Sequence, residues 1–255
     1  MTSPLIISTS GGGGLLELRL NRPKANIIDA AMIAALDAAF ATCADKTDLK
    51  AVMLCAEGAH FSFGASVEEH LPGSFRDMIA GLHALLKRML FLPLPILVAI
   101  RGSCLGGGLE VALAGHRLFA APDAKLGQPE MMLGVFAPAA SCLMPARVGQ
   151  AAANDLLWTG RSVGGKEALA LGLVDTLDPD PEGAARAWFD DHLAPKSASS
   201  LRFAVRASQA DYARRIAARL DEVERVYVNE LMTTHDAVEG LTAFTEKRPA
   251  EWKNR

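Results

Sequence analysis

Three segments of the chain combine residue types that could move protons and stabilise charge on a bound group. The first is Ser103-Cys104-Leu105-Gly106-Gly107-Gly108-Leu109-Glu110, after the apolar run Ile96–Ile100. Its three glycines let the backbone turn tightly and approach a ligand closely. The apolar stretch that follows has helical character. A helix N-terminus offers unpaired N–H groups and the positive end of a dipole, which suits an anion or a developing oxyanion. Glu110 falls in the first turn of that helix, where a dipole-favoured surface carboxylate is the plain alternative. The second segment is Leu126-Gly127-Gln128-Pro129-Glu130. Its proline stiffens the loop and biases Gln128 toward extended backbone. Glu130 is followed by the apolar run Met131–Phe136, and a carboxyl held beside apolar groups has a raised pKa. Glu110 and Glu130 near one helix start would make an acid–base pair. The third segment is Phe61-Ser62-Phe63-Gly64-Ala65-Ser66-Val67-Glu68-Glu69. Ser66 and Glu69 fit a capping box, which predicts a helix beginning at Ser66 and an Ala65 N–H able to point into a site.

The elements that must position these segments read as an α/β core. Leu16, Leu18 and Leu20 alternate with Glu17 and Arg19, the pattern of a half-buried strand. Ala51–Cys55 and Ile96–Ile100 are short apolar runs bounded by breakers, as buried strands are. Asp29 can cap an alanine-rich helix that follows it. Phe75 to Leu92 carries apolar residues at helical spacing and stops at Pro93. Strand–helix alternation over residues 1–195 argues for one α/β core. Residues 201–255 hold 19 of the 55 charged residues, which sets a long amphipathic helical region, 196–255, apart from that core. It either packs back on the core or mediates association.

Other patterns fail as sites. Gly160 to Lys166 fits a phosphate loop, but Glu167 stands where a serine or threonine should hold magnesium. Gly11–Gly14 joins two strand-like runs and opens no helix, so it reads as a hairpin loop. The six histidines show no metal-ligand spacing and read as surface or core residues. Cys43, Cys55, Cys104 and Cys142 form no C-x-x-C pair and read as buried reduced thiols. A net charge of -3 leaves no electrostatic footprint for nucleic acid. The longest apolar run, Met89–Ile100, contains two prolines and is too short to span a bilayer. No signal peptide is legible, so a soluble cytoplasmic protein is the expectation.

Taken together, the segments resemble the crotonase (enoyl-CoA hydratase/isomerase) superfamily along nearly the whole chain. The resemblance extends to Leu20–Ala25, Leu157–Arg161, Ala168–Asp175 and Glu239–Arg248. It implies a spiral of ββα turns with a C-terminal helical region that supports a homotrimer or homohexamer. It implies an acyl-CoA thioester as substrate, with no cofactor and no metal. The thioester oxygen would lie between the N–H groups of Ala65 and Gly107, with Glu110 as water-activating base and Glu130 as acid. Lys24, Ala25, Phe63 and Gly64 would contact CoA, with Phe244 or Lys247 nearby. Ser66 departs from the aspartate common after the oxyanion alanine. Phe136-Ala137-Pro138-Ala139-Ala140-Ser141 replaces a glycine-rich stretch and would shape the acyl pocket through Phe136, Ala137 and Pro138. With Asn26–Asp29 and Gly64–Pro72, that stretch is similar to hydratases of cyclohexa-1,5-diene-1-carbonyl-CoA in anaerobic benzoyl-CoA degradation. A straight-chain 2-enoyl-CoA hydratase, an enoyl-CoA isomerase and an acyl-CoA-binding scaffold are the alternatives.

Overall fold

The computed structural model describes residues 3–255. Strands β1 (Leu5–Ser10) and β2 (Leu15–Leu20) form an antiparallel hairpin around the predicted glycine loop. Helix α1 (Ala30–Ala41) starts where Asp29 accepts a 2.8 Å bond from the Met32 N–H, the expected cap. Then come β3 (Ala51–Ala56), α2 (Phe75–Phe91), β4 (Ile96–Ile100), β5 (Ser103–Leu105) and α3 (Gly107–Leu113). They are followed by β6 (Arg117–Ala120), β7 (Lys125–Gly127), α4 (Pro138–Val148) and α5 (Gln150–Thr159). β8 (Ser162–Gly164), α6 (Gly165–Ala170), β9 (Thr176–Leu177) and α7 (Pro181–His192) complete the core. α8 (Ala198–Asn229) and α9 (His235–Thr245) form the C-terminal helices.

The main sheet has the order β1-β2-β3-β4-β6-β9, parallel from β2 onward. A second sheet has the order β5-β7-β8. β4 and β6 are neighbours in the first sheet, and β5 and β7, which follow them in the chain, are neighbours in the second. Ser62, after β3, bridges in parallel to Cys104 of β5. Successive turns of chain therefore stack as a spiral: β3–Ser62–α2, then β4–β5–α3, then β6–β7 and the segment leading to α4. Ala65, Gly107 and the Gln128–Glu130 loop all follow the second-layer strand of their own turn. Stacking in register brings three stretches that are far apart in sequence to one edge of the spiral.

β2 departs from the half-buried reading. Glu17 is 6 % exposed and Arg19 is partly buried, because α7 covers the face that alternation assigned to solvent. Arg19 makes a bidentate pair with Glu182 of α7, at 2.5 and 3.1 Å. Arg186 pairs with Glu17 at 2.8 and 3.0 Å. The helix expected at Ser66 is also reduced. Only a 3-10 turn forms at Glu68–His70, before Pro72 and Gly73 break the chain ahead of α2. Ser66 accepts a 3.4 Å bond from the Glu69 N–H, but the Glu69 carboxylate turns away and accepts from the Ala30 N–H at 3.0 Å. It caps α1 instead of its own turn.

The C-terminal region packs back on the core. Ala213, Ile216, Leu220 and Val223 of α8 join the main hydrophobic cluster, and α8 lies against α2 and α4. Gly160 ends α5 with φ +68°, and Glu167 pairs with Arg161 at 2.8 Å, so the phosphate-loop pattern spans a helix end and a strand. All four cysteines are free and buried. Among the described residues no helix is long and apolar enough to cross a membrane.

Candidate active site

A cavity opens at the edge where the spiral turns converge. Phe63, Gly64, Ala65, Gly106, Gly107, Glu110, Glu130, Phe136 and Pro138 line it, so most of the residues singled out from the sequence meet here. The Ala65 and Gly107 segments are held side by side by second-layer bonds. The Leu105 N–H donates to the Ser62 carbonyl at 3.0 Å, and the Gly106 N–H to the Gly127 carbonyl at 3.0 Å. The approach is so close that a Cβ on Gly107 would stand 2.9 Å from the Ala65 Cβ and 3.1 Å from its nitrogen. Among the described residues neither the Ala65 N–H nor the Gly107 N–H donates to a protein acceptor. Gly107 opens α3, so its N–H has no partner within the helix. Two free donors at one cavity wall form a place for a negatively charged oxygen.

Glu110 lies in the first turn of α3 and is 4 % exposed, so the surface-carboxylate alternative does not hold. Its Oε1 accepts from the Ala140 N–H at 2.9 Å, and the Ala139 amide also favours its charged form. Both amides belong to the first turn of α4, so two helix starts meet at this carboxyl. Burial dominates and pushes its pKa well above the usual carboxylate range. Glu130 lies in a 3-10 turn, Pro129–Leu133, and is half-buried. Burial raises its pKa first, and the charge of Glu110 raises it further. Gly106, with φ +50°, is required beneath it, since a Cβ there would stand 2.6 Å from Glu130 Oε1. Among the described residues no cation stands beside either carboxyl, and two interacting carboxyls with raised pKa values titrate as a unit.

Gln128 is part of this arrangement and was missed from the sequence. It is 1 % exposed, and its carboxamide lies against Glu130, where with the nitrogen turned toward the carboxyl it donates to the two oxygens at 3.1 and 3.2 Å. The signal was available in its position two residues ahead of Glu130 across a stiff proline. His70, one of the six histidines that read as surface or core residues, lines the cavity. Ala137 does not line the cavity. It precedes α4 and faces a separate groove with Met131, Ser141 and Trp158. Ala25 is beside the cavity mouth, its carbonyl accepting from the Phe63 N–H at 2.9 Å, and Lys24 next to it is exposed. Phe244 and Lys247 are exposed near the end of α9 and do not line the cavity, although Leu241 of the same helix does. No cluster of three or more metal-ligating side chains occurs among the described residues.

The family model for enoyl-CoA hydratase/isomerase matches residues 10–255. The chain belongs to this family. It is 62 % identical over 254 residues to the cyclohexa-1,5-dienecarbonyl-CoA hydratase of Thauera aromatica, covering 100 % of this chain and 98 % of that one. It is 31 % identical over 270 residues to the carnitinyl-CoA dehydratase of Proteus mirabilis, covering 100 % of both. Among solved structures, an enoyl-CoA hydratase/isomerase from Pseudoalteromonas atlantica superposes with a TM-score of 0.85 at 28 % identity. That match covers 98 % of this chain and 99 % of the other. The spiral of ββα turns with a C-terminal helical region is thus the fold of the family.

Proposed function

We propose that this chain is a hydro-lyase that reversibly adds water to cyclohexa-1,5-diene-1-carbonyl-CoA, giving 6-hydroxycyclohex-1-ene-1-carbonyl-CoA. The observation that carries the reading is one cavity in which two unpaired backbone N–H groups face a buried and a half-buried carboxyl, Glu110 and Glu130, both with raised pKa values. The 62 % identity to the Thauera aromatica hydratase supports the choice of ring substrate.

In this reading the thioester oxygen accepts from the Ala65 and Gly107 N–H groups. Glu110, as carboxylate, takes a proton from water while the water oxygen bonds to the ring carbon β to the carbonyl. The C=C electron pair moves toward the thioester, and charge collects on the oxygen between the two donors. Losing one such donor costs about 3 kcal/mol of transition-state stabilisation. The resulting dienolate collapses when Glu130 gives its proton to the γ-carbon across the ring, leaving one C=C conjugated to the thioester. Water has then been added in 1,4 fashion, and the proton has passed from Glu130 to carbon and from water to Glu110. Dehydration runs the same steps backwards with the roles exchanged. The reaction is redox-neutral, and backbone dipoles supply the charge stabilisation, so it calls for no cofactor.

Phe136 and Pro138 form the apolar wall for the ring, and Ala137 supports that wall from behind. The CoA portion leaves past Lys24, Ala25, Phe63 and Gly64, with Phe244 of α9 and Lys247 just beyond that helix on its flank. Exposed Met132, Trp158 and Phe203, at 65–70 % exposure, support an assembly of identical chains, a trimer or hexamer. The enzyme would act in the cytoplasm on a product of benzoyl-CoA ring reduction. The test is mass spectrometry of purified protein with the ring dienoyl-CoA and crotonyl-CoA supplied together. Water added to the ring thioester is the expected result. Water added to crotonyl-CoA alone would refute the ring substrate and leave a straight-chain hydratase.

A further inference from the structure

The exit of the 3-10 turn that carries Glu130 is closed by two long backbone bonds. The Gly134 N–H donates to the Met131 carbonyl and the Val135 N–H to the Glu130 carbonyl, at 3.3 Å each. Met131 and Met132 are exposed, so that side of the turn has no core behind it in this chain. Support comes from α9. A Cβ on Gly240 of that helix would stand 2.2 Å from the Leu133 carbonyl oxygen, and a Cβ on Gly134 would stand 2.7 Å from the Asp236 carbonyl oxygen. The two glycines thus let turn and helix meet backbone to backbone. Leu133 and Leu241, one from each side of that contact, both line the cavity.

The outer edge of the Trp252 indole closes this seam. The same two Cβ positions, on Gly134 and on Gly240, would each stand 2.9 Å from that edge. The ring is 46 % exposed, so it lies over the contact and does not fill the core. Hydrogen bonds on both sides hold it there. The Glu251 N–H donates to Glu239 Oε1 at 2.8 Å, and Arg248 pairs with both Glu239 oxygens at 2.6 and 2.9 Å. The Lys253 and Asn254 N–H groups donate to the two Asp236 carboxylate oxygens at 2.8 and 2.7 Å, and the Asp236 N–H donates to the Arg255 carbonyl at 3.2 Å. Residues 251–255 are thereby tied along α9, with the indole wedged against the Glu130 turn.

We propose that Trp252 is a positioning residue for Glu130, strapping α9 to the turn that carries it and so fixing where the carboxyl meets the substrate. The inference rests on the hydratase reading above. Trp252 does not line the cavity, so it acts through the turn and not on the substrate. Proton transfer to carbon needs the donor within hydrogen-bond reach of the reacting atom, and a displacement of about 1 Å can cost 10²-fold. The turn is fixed at its entry by Gln128 and beneath the carboxyl by Gly106. Trp252 fixes its exit. Glu110 lies on α3 and is held by the Ala140 N–H of α4, so it does not depend on the strap. The strap therefore acts on one member of the glutamate pair.

The test is a double-mutant cycle on water addition by the full chain. Trp252→Ala should lower kcat about tenfold and move KM less than about twofold. In the Glu130→Gln background the same substitution should cost less than about twofold, because the carboxyl it positions is gone. Trp252→Phe, which keeps an aromatic edge in the notch, should recover most of the rate. A merely structural role would lower the rate by the same factor in both backgrounds. That result, or an unchanged kcat in Trp252→Ala, would overturn the proposal. Amide hydrogen exchange reads the strap without substrate. The Gly134 and Val135 amides should exchange faster in Trp252→Ala, and unchanged exchange would overturn the strap. The unmutated protein is assayed alongside with ring and straight-chain thioesters. Should only the straight-chain thioester gain water, the ring substrate falls and the cycle on that thioester still decides the role of Trp252. Should neither gain water, the hydratase reading falls, and the exchange rates still decide whether Trp252 holds the turn.

Discussion

The molecule buries carboxylates in two places, and it treats them in opposite ways. Glu17 and Glu182, between β2 and α7, are each 6 % exposed, and Glu110 in the cavity is 4 % exposed. Near-equal burial gives opposite pKa shifts. The Arg186 bond holds Glu17 below the usual carboxylate range. For Glu182 burial pushes upward, and Arg19, Arg101 and Arg186 together outweigh it. Among the described residues Glu110 has only backbone N–H groups for partners, burial wins, and its pKa rises. A guanidinium within reach turns a buried carboxylate into a fixed charge that ties α7 to the sheet. Without one, the proton stays mobile near neutrality, which proton transfer requires. Burial alone therefore does not mark a functional carboxyl, and the missing cation does.

The comparison breaks most sharply under two substitutions. Glu110→Gln removes the mobile proton and keeps the shape, so hydration should fall about 10³-fold. The melting temperature should stay the same or rise. Turnover measured on the ring thioester beside thermal melting decides it, and a collapse of folding with activity spared would make Glu110 a structural residue. Arg19→Met does the reverse. It strips a bidentate partner from Glu182 and should cost about 3 kcal/mol of stability, since an unpaired buried charge is left behind. Its kcat, read below the melting point, should stay close to that of the unmutated protein. Denaturant unfolding checks the first figure, and a loss below about 1 kcal/mol would mean that Arg101 and Arg186 suffice for Glu182.

The same comparison explains what was legible in the sequence. Local signals were reliable where one neighbour decides the outcome. Asp29 caps α1, Gly11–Gly14 turns a hairpin, and Pro93 stops α2, because each depends on residues within a turn. They failed where a distant element intervenes. Alternation put Glu17 and Arg19 on a solvent face, but α7, more than 160 positions later, covers it. The Ser66–Glu69 capping box was read correctly as composition, yet Glu69 is drawn to the start of α1. At the site, residue type and order pointed to Ala65, Gly107, Glu110 and Glu130, all of which line the cavity. Nothing local distinguished His70 from five other histidines, since its cavity position depends on α8 and the turn before α2. Ala137 shows the limit from the other side, because placing a residue one position before a helix start needs the helix phase.

The smallest effect is the pH dependence of stability, and its sign tests the contrast directly. A carboxyl whose pKa is raised on folding holds its proton in the folded chain at pH values where the unfolded chain has lost it. Stability from that group falls as pH rises from the unfolded value of 4.5 through the folded one. A carboxyl whose pKa is lowered behaves oppositely. Its contribution is present above 4.5 and is lost as pH falls through the folded value. The Glu110→Gln/Glu130→Gln double variant should therefore melt with the unmutated protein near pH 4 and above it from neutrality upward, by about 3 °C or more. Arg19→Met should show its deficit at neutral pH and lose it toward acid, as Glu182 takes up a proton. Parallel melting curves for the unmutated chain and the double variant from pH 4 to 8 would show that the glutamate pair titrates like exposed carboxylates. The difference between the two buried clusters would then lie in geometry alone.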